Sequence, residues 1–230
     1  MSPEEAQKVL DKIIGQITGF QNPYSLEDFM QKFAFDIRLP MIAHDSFTGE
    51  QTWAQSLNPT KFVTMKNSFD RVDDWNVPKR DLNGIEDILA AWNETNYTTT
   101  ERMIESDHVG ESDNIYNSEY IYRSQDVHFS KNTLFSDSAR HLEYAAAVQR
   151  SSNVTYGVRV EDSADVSNSF SVTWSGKISN SLFINDCYDM YECMFCSHMR
   201  GKKFCIANMQ FEEAEYMELK QKVIEWMLSQ

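Results

Sequence analysis

All four cysteines lie between Cys187 and Cys205, and Cys193-x2-Cys196 with His198 and Cys205 has the residue types and close spacing of a structural zinc site. The competing reading is that Cys187, Cys193 and Cys196 are packed core thiols. They occupy an inward-facing series described below, and free cysteine packs there as a small hydrophobe. That reading requires no cofactor. Asp162 and Asp165 with Arg159 form the best acid–base set for a solenoid lyase or hydrolase, which needs carboxylates and a cation on one face. Acids at such positions also form ordinary solvated turns. His44, His108, His128, His141 and His198 occupy different repeat columns or lie outside the array, so they cannot converge. A Gly-rich phosphate loop, a nucleophile elbow and a His-Glu-x-x-His pair are all absent from the sequence. No catalytic residues are therefore assigned, and the chain is not expected to be an enzyme.

What must position these residues is a repeat. SDNIYNSEYIYR at 112–123 has near-copies at 151–162, 163–174 and 175–186, a period of 12. Inside it runs a period of three: every third residue from Thr100 through Ser112, Ile115, Val154, Val166, Ile178 and Cys187 to Met199 is small or aliphatic. All 22 charged residues between 100 and 199 fall off that series. Random placement would achieve this with odds of roughly 10⁻⁴, so the lattice is real. Charge-free positions face inward, because an unpaired charge there would be desolvated. A spacing of three fits neither a helix at 3.6 nor a flat strand at 2.0. It fits a chain that turns corners and stacks its coils, a parallel β-solenoid.

Twelve residues per coil would give eight coils spanning about 38 Å, and twenty-four would give four. Around Thr133–Ala139 the small/large alternation slips by one three-residue unit, which suggests a bulged or enlarged coil. Asn114, Asp126, His141, Asn153, Asp165, Lys177 and Asp189 each precede an aliphatic residue and are assigned to one corner column, since Asn and Asp tolerate left-handed backbone. A carboxylate ladder binding calcium is the alternative, although His141 and Lys177 interrupt it.

The array divides the chain into an α-rich N-terminal capping and docking region (1–96), the solenoid (97–208) and a C-terminal amphipathic capping helix (209–230). Ser2-Pro3-Glu4-Glu5 starts a helix whose inner face is Val9, Ile13, Ile14 and Ile17. Ser25 and Asp28 resemble a capping box for a second helix running to about Ile37. A short strand at Phe62–Met65 and a helix from about Gly84 to Trp92 follow. Phe211–Leu228 is a helix with Met217, Val223, Ile224 and Met227 turned inward. One outward stripe of the solenoid is apolar: Val158, Phe170, Leu182, Phe183, Met194 and Phe195. Either a flanking helix of this chain covers it or it docks a partner.

The three-spaced lattice is similar to the narrow solenoids of insect antifreeze proteins, but its outward columns carry no threonine ladder, so ice binding is not implied. A second resemblance lies at the C-terminal end of the array. Cys193-Met-Phe-Cys196-Ser-His-Met199-Arg200-Gly-Lys202-Lys203-Phe204-Cys205-Ile206-Ala-Asn208, with Tyr216 beyond, resembles the closing block of a Ser/Asn/Cys-repeat solenoid family of uncultivated bacteria and tailed phages. That family's pattern is Cys-x2-Cys, then Leu-Arg-x-Lys-x-Tyr-Cys-Ile-x-Asn and a helix. Met199 replaces the Leu, Phe204 replaces the Tyr, and the repeats here hold fewer cysteines. The resemblance covers the second half of the chain and implies the architecture and a phage origin.

Bulk properties narrow the partners. A net charge of −14 repels nucleic-acid phosphates. No apolar run reaches the ~18 residues of a membrane span. The N-terminus lacks the pattern of a secretory signal, which fits cytoplasmic synthesis with reduced thiols. The expected role is a non-enzymatic structural or binding module, a virion component docking to other proteins of a larger assembly, with self-association as a further possibility. The alternatives are a carbohydrate-active solenoid enzyme and a cytoplasmic adaptor with a structural zinc.

Overall fold

In the computed structural model, which describes residues 1–57, 61–71 and 75–229, the chain is a parallel β-solenoid of about nine coils with helices at both ends of the sequence. Each residue pairs with the one twelve further on: Val154 with Val166, Val166 with Ile178, Ile178 with Met190. The coil therefore holds twelve residues. Every third residue from Glu105 to Phe204 has positive φ, Gly201 included, so each coil turns four corners and has four sides. The corner residues include Arg150, Trp174 and Phe195 as well as Asn and Asp. Left-handed backbone costs a non-glycine residue about 1–2 kcal/mol, so something must offset it at every corner.

Part of the offset is a ladder of inward serines. Ser118 Oγ donates to the Tyr116 carbonyl at 2.7 Å and accepts the Ser130 N–H at 3.0 Å. Ser112, Ser124, Ser151, Ser163, Ser169, Ser175 and Ser181 repeat this arrangement. Each hydroxyl satisfies a buried amide that the corner turns toward the interior, where an unpaired N–H would be costly. The interior is narrow, and in most coils two large side chains fill it. In the first coils the large pair is Ile115 and Ile121, with Ser118 and Ser124 between them; later it is Val154 and Val160, with Ser151 and Gly157 in the other slots.

That exchange accounts for the slip near Thr133–Ala139, and it corrects the expectation of an enlarged coil. Thr133 pairs with both Ile121 and Ala145, and Ala139 pairs with Val127, so the register of twelve is unbroken. The large residues move from one opposed pair of slots to the other while the backbone runs on. The single corner column is corrected for the same reason. Asn114 and Asp126 stack in one column, with an amide-to-carboxylate bond of 2.9 Å, whereas Asn153 and Asp165 stack in the next at 2.8 Å. His141, Lys177 and Asp189 share the latter column by the twelve-residue step, and all of these residues are corners.

The flanking elements are α1 (Pro3–Thr18), α2 (Leu26–Phe33), β1 (Met41–His44), β2 (Gln51–Ala54), β3 (Lys61–Thr64), α3 (Met65–Phe69), α4 (Ile85–Thr95), β4 (Tyr97–Thr100) and α5 (Glu213–Ser229). Ser2 and Glu5 close a full capping box on α1, and Gly19 ends it at φ 76°. α1 touches five successive coils and so runs along the solenoid axis, with Ala6, Leu10 and Ile13 fully buried against them. α2 stops at Phe33, short of Ile37: the chain leaves the helix at Ala34, Asp36 reaches Arg159, and Ile37 turns into the core. α5 turns Tyr216 inward with Ile224 and Met227, while Met217, expected inside, is exposed. β1 to β4 cover the first coil, where the buried Asp113 accepts from the Gln55 N–H and from Arg102 in a two-point pair.

Candidate functional site

The four sides of the coil give the molecule four faces of different character. The first carries Tyr122, Leu134, Ala146, Val158, Phe170, Leu182 and Met194 in register, coil upon coil. This includes four of the six residues of the expected docking stripe. Val158, Phe170, Leu182 and Met194 are buried in one cluster with α1, α2 and α5. Phe33 meets Phe170 edge to face at 5.3 Å, and Phe29 stacks on Phe135 at 6.0 Å. The chain's own helices thus cover this face. Phe183 and Phe195 lie at its margin, stacked at 4.6 Å, and Phe195 with Met194, Ile206, Leu219, Val223 and Trp226 borders a small apolar recess beside α5.

The cysteines point inward. Cys187 Sγ donates to the Asn185 carbonyl at 3.3 Å and receives the Met199 N–H at 3.5 Å, the same two bonds that the serines make. Cys193, Cys196 and Cys205 also donate to the carbonyl two residues back. Burial pushes the Cys187 and Cys205 thiols up, and Cys193 is pushed up by its hydrogen bond to Cys196 and by burial. His198 lies on the outside, 3.3 Å from Asp186, away from these sulfurs. Among the described residues, no group of three or more His, Cys, Asp or Glu is arranged to hold a metal ion.

The acid–base trio is also apart. Asp162 is held by Arg150 through two bonds of 2.7 and 2.8 Å, and Arg150 keeps its carboxyl below the usual carboxylate range. Arg159 turns to Asp36 beside α2, and Asp165 accepts from Asn153. Each member already has another partner, and the three do not face one cavity.

Comparison with protein-family models, curated proteins and solved structures finds no match to this chain.

Two exposed features were not singled out from sequence. The first is α4, none of whose residues is buried. Ile85, Ile88, Leu89 and Trp92 are spaced i, i+3, i+4 and i+7, one face of a helix, and are 48–67% exposed. The helix is moored by Arg80 to Glu94 at 2.8 Å and by Lys61 to the Glu94 carbonyl at 3.2 Å. The spacing was readable in the sequence; that no other element among the described residues covers it was not. The second is the face opposite the helix-clad one, where small residues in register form a trough between two corner columns. No helix of the described residues is long and apolar enough to cross a membrane.

Proposed function

We propose that this chain is a non-enzymatic docking module, a rigid solenoid that presents α4 to another protein of a larger assembly. The observation that carries the reading is the apolar stripe Ile85, Ile88, Leu89 and Trp92, left open in a chain that covers its other long apolar face with its own helices. Helix-in-groove recognition uses anchors at this spacing. Glu86 and Asp87 flank the stripe, so the groove that fits it is apolar with a basic rim. A second copy of this chain, acidic at −14, offers poor electrostatic complement. The repeat-family resemblance extends to tailed-phage sequences, so the assembly put forward first is a virion. The already engaged partners of Asp162, Asp165 and Arg159 give the enzymatic alternative no support.

The test places a photo-reactive residue at Leu89 in the source particles and identifies the product by mass spectrometry. One partner polypeptide, lost when Ile88→Asp is added, is the expected result. Absence of the chain from purified particles overturns the virion assignment. A cross-link only to a second copy overturns the choice of partner, and no cross-link at all overturns docking through α4.

A further inference from the structure

The face opposite α1 carries an open trough lined by small, aromatic and charged side chains. Its floor is Ser152, Ala164 and Gly176, stacked in three successive coils. The floor is low because these are the smallest residues of their column, which continues as Arg140 on one side and Tyr188 on the other. One wall is the corner column Asp162, Trp174 and Asp186, and Arg200 stands beyond Tyr188 at the end of the trough. The trough is open to solvent and has a volume of about 730 Å³.

Two rings are displayed there. Trp174 is 64% exposed, yet its indole is fixed, since Nε1 donates to Asp162 at 3.1 Å. Tyr188 is 46% exposed and lies over Gly176; a Cβ on that glycine would meet the ring at 3.2 Å. The Lys177 ammonium sits 5.3 Å from the Tyr188 centroid and helps to orient the ring. Exposed aromatic surface that is ordered rather than mobile suits stacking against the C–H face of a ring. Asp162 is engaged by Arg150 and Trp174 and serves to hold the wall, while Asp186 at the same wall offers an acceptor and Arg200 at the end of the trough a donor. Acids and bases are nearly balanced along the trough, in a chain that is otherwise strongly acidic, which selects a neutral ligand over a polyanion. The coils rise about 4.8 Å each, close to the length of one sugar residue in an extended oligosaccharide.

From this arrangement we infer that the trough over Ser152, Ala164 and Gly176 binds a neutral oligosaccharide of pyranose units, stacked on Trp174 and Tyr188. The inference is independent of docking through α4, because the groove and α4 share no residue.

The experiment follows the Trp174 indole N–H cross-peak, assigned with Trp174→Phe, in the ¹⁵N-labelled full chain. The probes are cellohexaose, maltohexaose and chitohexaose, added separately. The expected result is a saturable shift of that peak with at least one probe, at a Kd of about 1 mM or tighter. Ala164→Arg, which fills the trough from an outward position, should weaken binding by about tenfold or more, with the other indole peaks unmoved. No saturable shift with any of the three, or binding that Ala164→Arg leaves unchanged, overturns the inference. A shift confined to tryptophans outside the trough does so too.

Discussion

Replacing Ser124 by Ala measures what the interior ladder contributes. Ser124 is fully buried; its hydroxyl donates to the Tyr122 carbonyl at 2.9 Å and accepts the Ser136 N–H at 3.0 Å. The Tyr122 carbonyl keeps a second bond, from the Phe135 N–H at 3.0 Å, so it is not left bare. The Ser136 amide loses its acceptor in a fully buried site. One orphaned buried N–H costs about 1–3 kcal/mol, a large part of a typical folding free energy. Ser124→Cys should cost less, because Cys187 already makes the same pair of bonds through sulfur. Ser124→Val should cost more than Ala, since Ile121 and Val127 fill the adjoining slots and overpacking adds about 1–3 kcal/mol. Urea unfolding followed by circular dichroism gives the three differences, and hydrogen exchange at the Ser136 amide localises them. A loss below about 0.5 kcal/mol for Ser124→Ala, with Ser136 still protected, would refute the account of how the corners are sustained.

The four thiols should resist an aromatic disulfide reagent in the native state and react stoichiometrically after denaturation, since all four are buried; fast native reaction of two or more would contradict this. Gly157→Ala should lower the melting temperature, because its Cβ would meet a Val154 methyl at 2.3 Å and force that side chain to move, at a cost of about 1–3 kcal/mol. Acid should weaken the solenoid's hold on α2. Hydrogen bonding to Arg159 lowers the Asp36 carboxyl from its ordinary 3.8, so its contribution is complete above that value and is lost as pH falls through the depressed one. Asp36→Asn should remove that part of the acid dependence of stability, as read by thermal melts from pH 6 downward to about pH 2.

Much of this architecture could be read from the residues because the interior tolerates so few types. Charges at an inward slot would be desolvated, so Val154, Val166 and Ile178 marked one file of the core without any structure. From sequence the corners were legible only in the Asn- and Asp-rich positions that precede an aliphatic residue, Asn114 to Asp189, and not at Asn117, Asn168 or Asn180, which are corners too. Arg150, Trp174 and Phe195 carry no local preference for left-handed backbone, and the stacked amide ladder imposes it on them. The exchange of large residues near Thr133 resembled an insertion, because sequence shows which residue alternates but not which opposed pair of slots it fills. The groove escaped for a related reason. Ser152, Ala164 and Gly176 look unremarkable in sequence, and their smallness acquires meaning only when they lie in register beneath Trp174 and Tyr188.

The interior and exterior of such a coil answer to different constraints. Two large and two small side chains fill the inside at most levels, so the inside can specify length and register but has little capacity to specify a partner. The outward columns are free of that demand, and each has gone its own way along the same twelve residues. One is continuously apolar and lies beneath α1, α2 and α5; the opposite one narrows to Ser, Ala and Gly and then ends in Tyr188 and Arg200. Divergence of this kind, on a backbone that repeats without interruption, places recognition in the outward columns and in the appended α4. Substitutions on the inward series should therefore change stability and leave binding intact once the chain is folded. Substitutions at Trp174, Ala164 or Ile88 should do the reverse.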